Sequence, residues 1–96
     1  MGQDGHHRAT VALRSDRVLW RNLDGRVLAL DTVRARYLRL NHSGSVLWRA
    51  LAWPREPDEL IDVLVRTYDV AREQASADVV AFLARLRADG LVVDAA

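Results

Sequence analysis

The sequence predicts an α+β domain in which a three-stranded antiparallel sheet comes first and three helices follow. Three observations predict it. Up to Asn41 the apolar residues fall in short alternating runs, interrupted at Ser15-Asp16 and Asp24-Gly25. Beyond Ser43 they recur at i, i+3, i+4 and i+7, the spacing of a helix face. The chain has 96 residues, 50% hydrophobic and 28% charged, which is enough for one modest core and too little for two.

Taken in order, Thr10–Leu13 is a short β-prone run, an extra piece ahead of the main sheet. Arg17–Leu23 (RVLWRNL) is richer in branched and aromatic residues and stops at Asp24-Gly25, a strong two-residue hairpin signal. Arg26–Asp31 is the return strand. After Thr32–Ala35 comes Arg36–Asn41 (RYLRLN), where Leu38 and Leu40 alternate with Tyr37 and Arg39. That pattern is a half-buried strand with one wet face.

Asn41 or Ser43 caps the first helix, which runs through Leu51 with Gly44, Leu47, Trp48 and Leu51 on its apolar stripe. Trp53-Pro54 ends it. Pro57 opens the second helix, where its missing N–H costs nothing, and Asp58 and Glu59 complement the helix dipole. Ile61, Leu64, Val65 and Tyr68 form its stripe. The third helix extends from about Arg72 to Asp89 with Val79, Phe82, Leu83 and Leu86 inward, and Gly90 is placed for a left-handed cap. Leu91-Val92 then folds back onto the core. Met1–Arg8 reads as a flexible polar segment and residues 9–96 as the domain. The predicted packing is one sheet face covered by helices.

Composition excludes several chemistries. All 14 basic residues are arginine, and the chain has no cysteine. Thiolate nucleophiles, disulfides and cysteine-ligated metals are therefore excluded, as are lysine Schiff bases and P-loops. No apolar run approaches the ~18 residues of a membrane span, and Met1–Arg8 does not resemble a signal peptide. A cytoplasmic protein without membrane association is the expectation. The net charge of +1 conceals an asymmetry: Met1–Leu40 holds eight arginines against four aspartates, and Asn41–Ala96 holds six arginines against nine acids. The basic half can steer an acidic partner, although a chain this short reaches such an imbalance by ordinary sampling.

Converging catalytic groups are scarce. His6 and His7 lie in the polar terminus, and a solvated tail explains them better than a metal site. His42, beside Ser43 and Ser45, lacks the facing geometry of a serine–histidine pair and reads as a capping or surface residue. Asp58, Glu59 and Asp62 read as a solvated acidic face. No catalytic residue, metal or cofactor is expected. Trp48 is assigned to the core and Trp53 to a position covering the core from the side; Trp20 fits either the core or an exposed patch. Asp78 and Arg85, seven apart on the third helix, flank its apolar stripe. They are either unrelated surface charges or the polar rim of a groove.

The third strand of the meander lies at a sheet edge. Such an edge carries unpaired backbone groups that invite another strand, and RYLRLN has neither proline nor glycine to block pairing. An extended peptide can add to it, with the last helix as a second wall. The plainer reading is an edge kept monomeric by Arg36 and Arg39.

The run from Val27 to Val92 resembles the PqqD family, the recognition elements that bind leader peptides of ribosomally synthesised, post-translationally modified peptides. The resemblance is carried by Val27–Asp31, Arg36–Asn41, Ser43-Gly44 and Leu47-Trp48, and continues through Tyr68-Asp69, Asp78-Val79, Phe82-Leu83, Leu86 and Gly90-Leu91. It covers about two thirds of the chain; the order and spacing of these elements carry it rather than any single motif. The sequence looks most like the stand-alone members of lasso peptide biosynthesis. The resemblance implies a winged helix-turn-helix-like fold and a leader lying antiparallel along the third strand, in a cleft with the third helix. It assigns leader contacts to Arg36, Tyr37, Leu38 and Arg39 on the strand, and to Asp78, Val79, Phe82 and Arg85 on the helix. It also implies a separate cysteine-type leader peptidase and a macrolactam synthetase as partners. Lasso leaders in this family present a tyrosine, a proline and acidic residues.

Two departures stand out. Thr32-Val33-Arg34-Ala35 has no glycine where the family often has one, and Ala52-Trp53-Pro54 replaces the glycine common between the first two helices. The rival function is a winged-helix DNA-binding module. It calls for a basic recognition helix, whereas the second helix starts acidic and the third balances Arg85 and Arg87 against Asp78 and Asp89.

Overall fold

The structure, a computed structural model, describes residues 9–95; residues 1–8, expected to be flexible, lie outside the described part. The elements are β1 (Thr10–Leu13), β2 (Val18–Leu23), β3 (Arg26–Asp31), β4 (Arg36–Arg39), α1 (His42–Ala50), α2 (Pro57–Tyr68), α3 (Arg72–Ala88) and β5 (Val92–Ala95). The expected α+β order holds, and β2-β3-β4 form the antiparallel meander. β1 stands apart from it. It pairs with β5 in a separate two-stranded sheet, Thr10 opposite Ala95 and Leu13 opposite Val92. The fold-back of Leu91-Val92 is thus a strand that joins the two ends of the domain.

Local chemistry explains the turns. Asp24 (φ 54°) and Gly25 (φ 78°) both take left-handed backbone, the geometry that matches a two-residue hairpin to the twist of its strands. The β3–β4 turn is built differently. The buried Asp31 carboxylate accepts hydrogen bonds from the amides of Val33 (3.0 Å) and Arg34 (3.1 Å), and Ala35 closes the turn at φ 56°. Ala35 thus takes the left-handed conformation that a glycine would adopt without strain. Burial opposes ionisation of Asp31, but the amides of Arg34 and Val33 and the charge of Arg17 outweigh it and hold its pKa below the usual carboxylate value. Arg34 also reaches Asp89 at 3.3 Å, joining this turn to the C-terminal end of α3.

The inner sheet face presents Val18, Val27, Ala29, Leu38 and Leu40 to the helices, and fully enclosed Trp48 lies at the centre of the core. Trp20 is half-buried and meets Trp48 edge-on, with ring centroids 6.5 Å apart, which settles its two readings in favour of the core. Asn41 is the cap of α1, its Oδ1 accepting from the Gly44 amide at 2.8 Å. Ser45 ties this helix to the sheet, its Oγ accepting from the buried Val27 amide at 2.8 Å.

Three placements correct the sequence reading. Trp53 is 69% exposed and does not cover the core, where Leu51 is fully buried instead, and backbone bonds between Arg55 and Val11 (2.8 and 2.9 Å) draw the loop toward β1. On α2 the buried stripe is Leu60, Ile61 and Leu64, while Tyr68 is 39% exposed at the end of the helix, which the left-handed Asp69 terminates. The acidic face of α2 is not simply solvated, since Asp62 pairs with Arg72 at 2.7 Å and ties α2 to α3.

Candidate functional site: the β4 edge and the α3 groove

In an antiparallel ladder, backbone groups point alternately toward and away from a given neighbour. The Leu40 amide donates to the Val27 carbonyl at 3.1 Å, which sets the phase of β4. Leu38 and Arg36 therefore bond to β3, while the amides and carbonyls of Tyr37 and Arg39 point to the open edge. No backbone bond outside the sheet engages either residue among the described residues. The edge ends at a defined point. Ser45 Oγ takes the Val27 amide and donates toward the Leu40 carbonyl at 3.4 Å, so the chain leaves the ladder and enters α1.

Alongside that edge is a groove of about 570 Å³ between the end of β4 and α3. Arg39 and Leu40 form its sheet side, and Asp78, Ala81, Phe82 and Arg85 its helix side. Leu47 and Leu64 line its floor, with Asn41, Ser43 and Gly44 at the start of α1. The floor is apolar and the rim is charged. Gly44 matters here for closeness rather than backbone freedom: a Cβ at that position would lie 2.9 Å from Asn41 Oδ1 and 3.6 Å from the Phe82 ring. Any larger residue would disturb the cap and narrow the groove.

Four of the eight expected contact residues, Arg39, Asp78, Phe82 and Arg85, are brought together around this groove. Arg36 and Tyr37 are exposed on β4 outside its lining, and Tyr37 at 70% exposure projects from the outer sheet face. Leu38 is buried and Val79 fully so. Their side chains belong to the core and the Leu38 backbone is bonded to β3, so Leu38 backs the edge and Val79 supports the wall. The groove residues absent from that expectation are Leu40, Asn41, Ser43, Gly44, Leu47, Leu64 and Ala81. One signal for them was present, since a glycine inside a helix without a turn to make points to close packing.

The arginines divide into two sets. Arg14, Arg17, Arg34, Arg72 and Arg87 form ion pairs with Asp16, Asp31, Asp89, Asp62 and Asp94. The pairing with Arg87 lowers the Asp94 pKa below its ordinary value. Arg36, Arg39 and Arg85 have no ion-pair partner among the described residues. Arg21, Arg26, Arg49, Arg55 and Arg66 likewise form no ion pair among the described residues, so three of the arginines without one stand at the β4 edge and on the groove wall. Among the described residues no group of three or more His, Cys, Asp or Glu could hold a metal, and no helix is long and apolar enough to cross a membrane.

A meander backed by three helices, with one open edge beside a helix-walled groove, defines a peptide-docking type of domain. The family model for PqqD, coenzyme PQQ synthesis protein D, matches residues 26–92. The chain belongs to the PqqD family. Two solved structures are similar to it. One is TbiB1 in complex with the TbiA(beta) leader peptide, with a TM-score of 0.77 and 28% identity over 84% of this chain and 93% of that one. The other is a lasso peptide synthetase B1 complexed with the leader peptide, with a TM-score of 0.74 and 23% identity over 86% of this chain and 96% of that one. At that identity the second likeness concerns the fold. No curated protein matches the chain.

Proposed function

We propose that this protein binds the leader peptide of a ribosomally synthesised precursor in lasso peptide biosynthesis, by strand addition to β4 in the cleft with α3. One observation carries the reading: the unpaired backbone of Tyr37 and Arg39 lies beside a groove with an apolar floor and unpaired arginines. Backbone bonds along the edge supply affinity, and the floor and rim select side chains. Arg36, Arg39 and Arg85 suit leader carboxylates, because a guanidinium can bind one in bidentate fashion. Family membership and the leader-bound state of the similar TbiB1 structure support the same reading.

The protein acts without catalysis, metal or cofactor. It works in the cytoplasm and presents the bound leader to a separate cysteine-type leader peptidase and to a macrolactam synthetase. Residues 9–96 form the binding domain.

The test is a titration of the fluorescein-labelled leader encoded beside this chain's gene, with a generic DNA duplex titrated separately at moderate salt. Saturable leader binding without duplex binding is expected. Tight duplex binding with no leader binding would replace this reading with the winged-helix DNA-binding one. A folded Arg36→Glu/Arg85→Glu double variant is expected to bind the leader at least tenfold more weakly, a loss of about 1.4 kcal/mol. Unchanged affinity would remove the arginines from the site.

A further inference from the structure

We infer that the groove reads the order of charge along the leader, taking a basic side chain toward the leader's N-terminal end and a carboxylate toward its C-terminal end. The inference rests on the antiparallel leader proposed above. Two contacts orient α3 relative to β4. At one end Asp89 pairs with Arg34 in the turn that precedes β4; at the other, Asp78 borders the depression formed by Asn41, His42 and Ser43 just after it. α3 therefore runs opposite to β4, and a leader antiparallel to β4 runs in the direction of α3. Its N-terminal part passes Asp78 and its C-terminal part passes Arg85.

The two ends differ in charge. Asp78 accepts one hydrogen bond, from Gln74 at 3.0 Å, and has no ion-pair partner among the described residues. Arg26 and His42 border the same depression, so that end is close to balanced rather than strongly negative. The other end has no such balance. Arg85 and Arg39 line the groove without a carboxylate partner, Arg36 is exposed further along the strand, and Asp89, one turn beyond Arg85, is held by Arg34. A carboxylate placed there meets uncompensated guanidinium charge; at the Asp78 end it meets a free carboxylate oxygen.

The spacing follows from element geometry. Seven helical residues rise about 10 Å, close to three residues of strand. Leader side chains that face α3 alternate, so inward positions i and i+4 come nearest to spanning Asp78 and Arg85.

The test uses two versions of the labelled leader with identical composition. One carries Lys at inward position i and Glu at i+4, and the other has the two exchanged. The first should bind the native protein about tenfold more tightly, because two attractive pairs at exposed positions become two repulsive ones. An Asp78→Arg/Arg85→Asp exchange variant, shown to be folded by circular dichroism, should reverse the preference. Equal binding of both peptides by the native protein overturns the charge-order inference while leaving leader binding intact, as does an exchange variant that keeps the native preference. Should the exchange variant fail to fold, the native comparison decides alone. Failure of the unmodified leader to bind overturns the proposed function and this inference with it.

Discussion

Single residues set both the stability of the turn that starts β4 and its response to pH. Ala35 holds a left-handed conformation at φ 56°, which disfavours any residue with a Cβ. Ala35→Gly is therefore expected to stabilise the domain by about 0.5–1 kcal/mol, the relief of strain partly offset by the greater freedom of glycine in the unfolded chain; urea denaturation measures it. The sequence shows that the family's usual glycine is missing there, but only the backbone shows that alanine adopts the same conformation. Asp31 has a lowered pKa in the folded state. Its contribution is present above the ordinary carboxylate pKa and is lost as pH falls through the depressed value. Asp31→Asn keeps an acceptor for the turn amides and removes that ionisation. Denaturation midpoints measured between about pH 5 and pH 2 should then fall less steeply than for the native chain.

At the scale of elements, the β4 edge depends on a strand whose neighbouring residues have opposite duties. Leu38 bonds to β3 and fills the core, while Tyr37 and Arg39 turn their backbone outward. Proline removes one donor wherever it is placed, so position distinguishes two outcomes. Tyr37→Pro should leave a folded domain by circular dichroism and weaken leader binding by tenfold or more, because the lost N–H belongs to the open edge. Leu38→Pro should unfold or strongly destabilise the domain. The junction with α1 rests on Ser45. Ser45→Ala leaves the buried Val27 amide without its acceptor and should cost about 1–3 kcal/mol in thermal or urea denaturation. Alternation in RYLRLN made the two faces of β4 legible from sequence. The Ser45–Val27 bond was not legible, because a buried hydroxyl bonding a strand eighteen residues earlier has no local signature.

For the whole molecule, sequence periodicity recovered the order of meander and helices, since both depend on local alternation and helix spacing. The pairing of β1 with β5 joins opposite ends of the chain, and four-residue runs such as VVDA are too short to declare their partner. The site was legible to a similar degree. Its charged rim and edge strand could be read from neighbouring residues, whereas the groove floor combines Leu47 of α1 with Leu64 of α2 and depends on how the helices pack. The division of arginines into paired and unpaired sets is also a property of the folded molecule, and it leaves Arg36, Arg39 and Arg85 available where the leader is proposed to lie. The most direct test of strand addition is amide hydrogen exchange, residue by residue, with and without the leader. The Tyr37 and Arg39 amides should become protected on binding, while the Leu38 amide, already bonded to β3, should be slow in both states. Leader binding that leaves Tyr37 and Arg39 exchanging as fast as in the free protein would contradict the account.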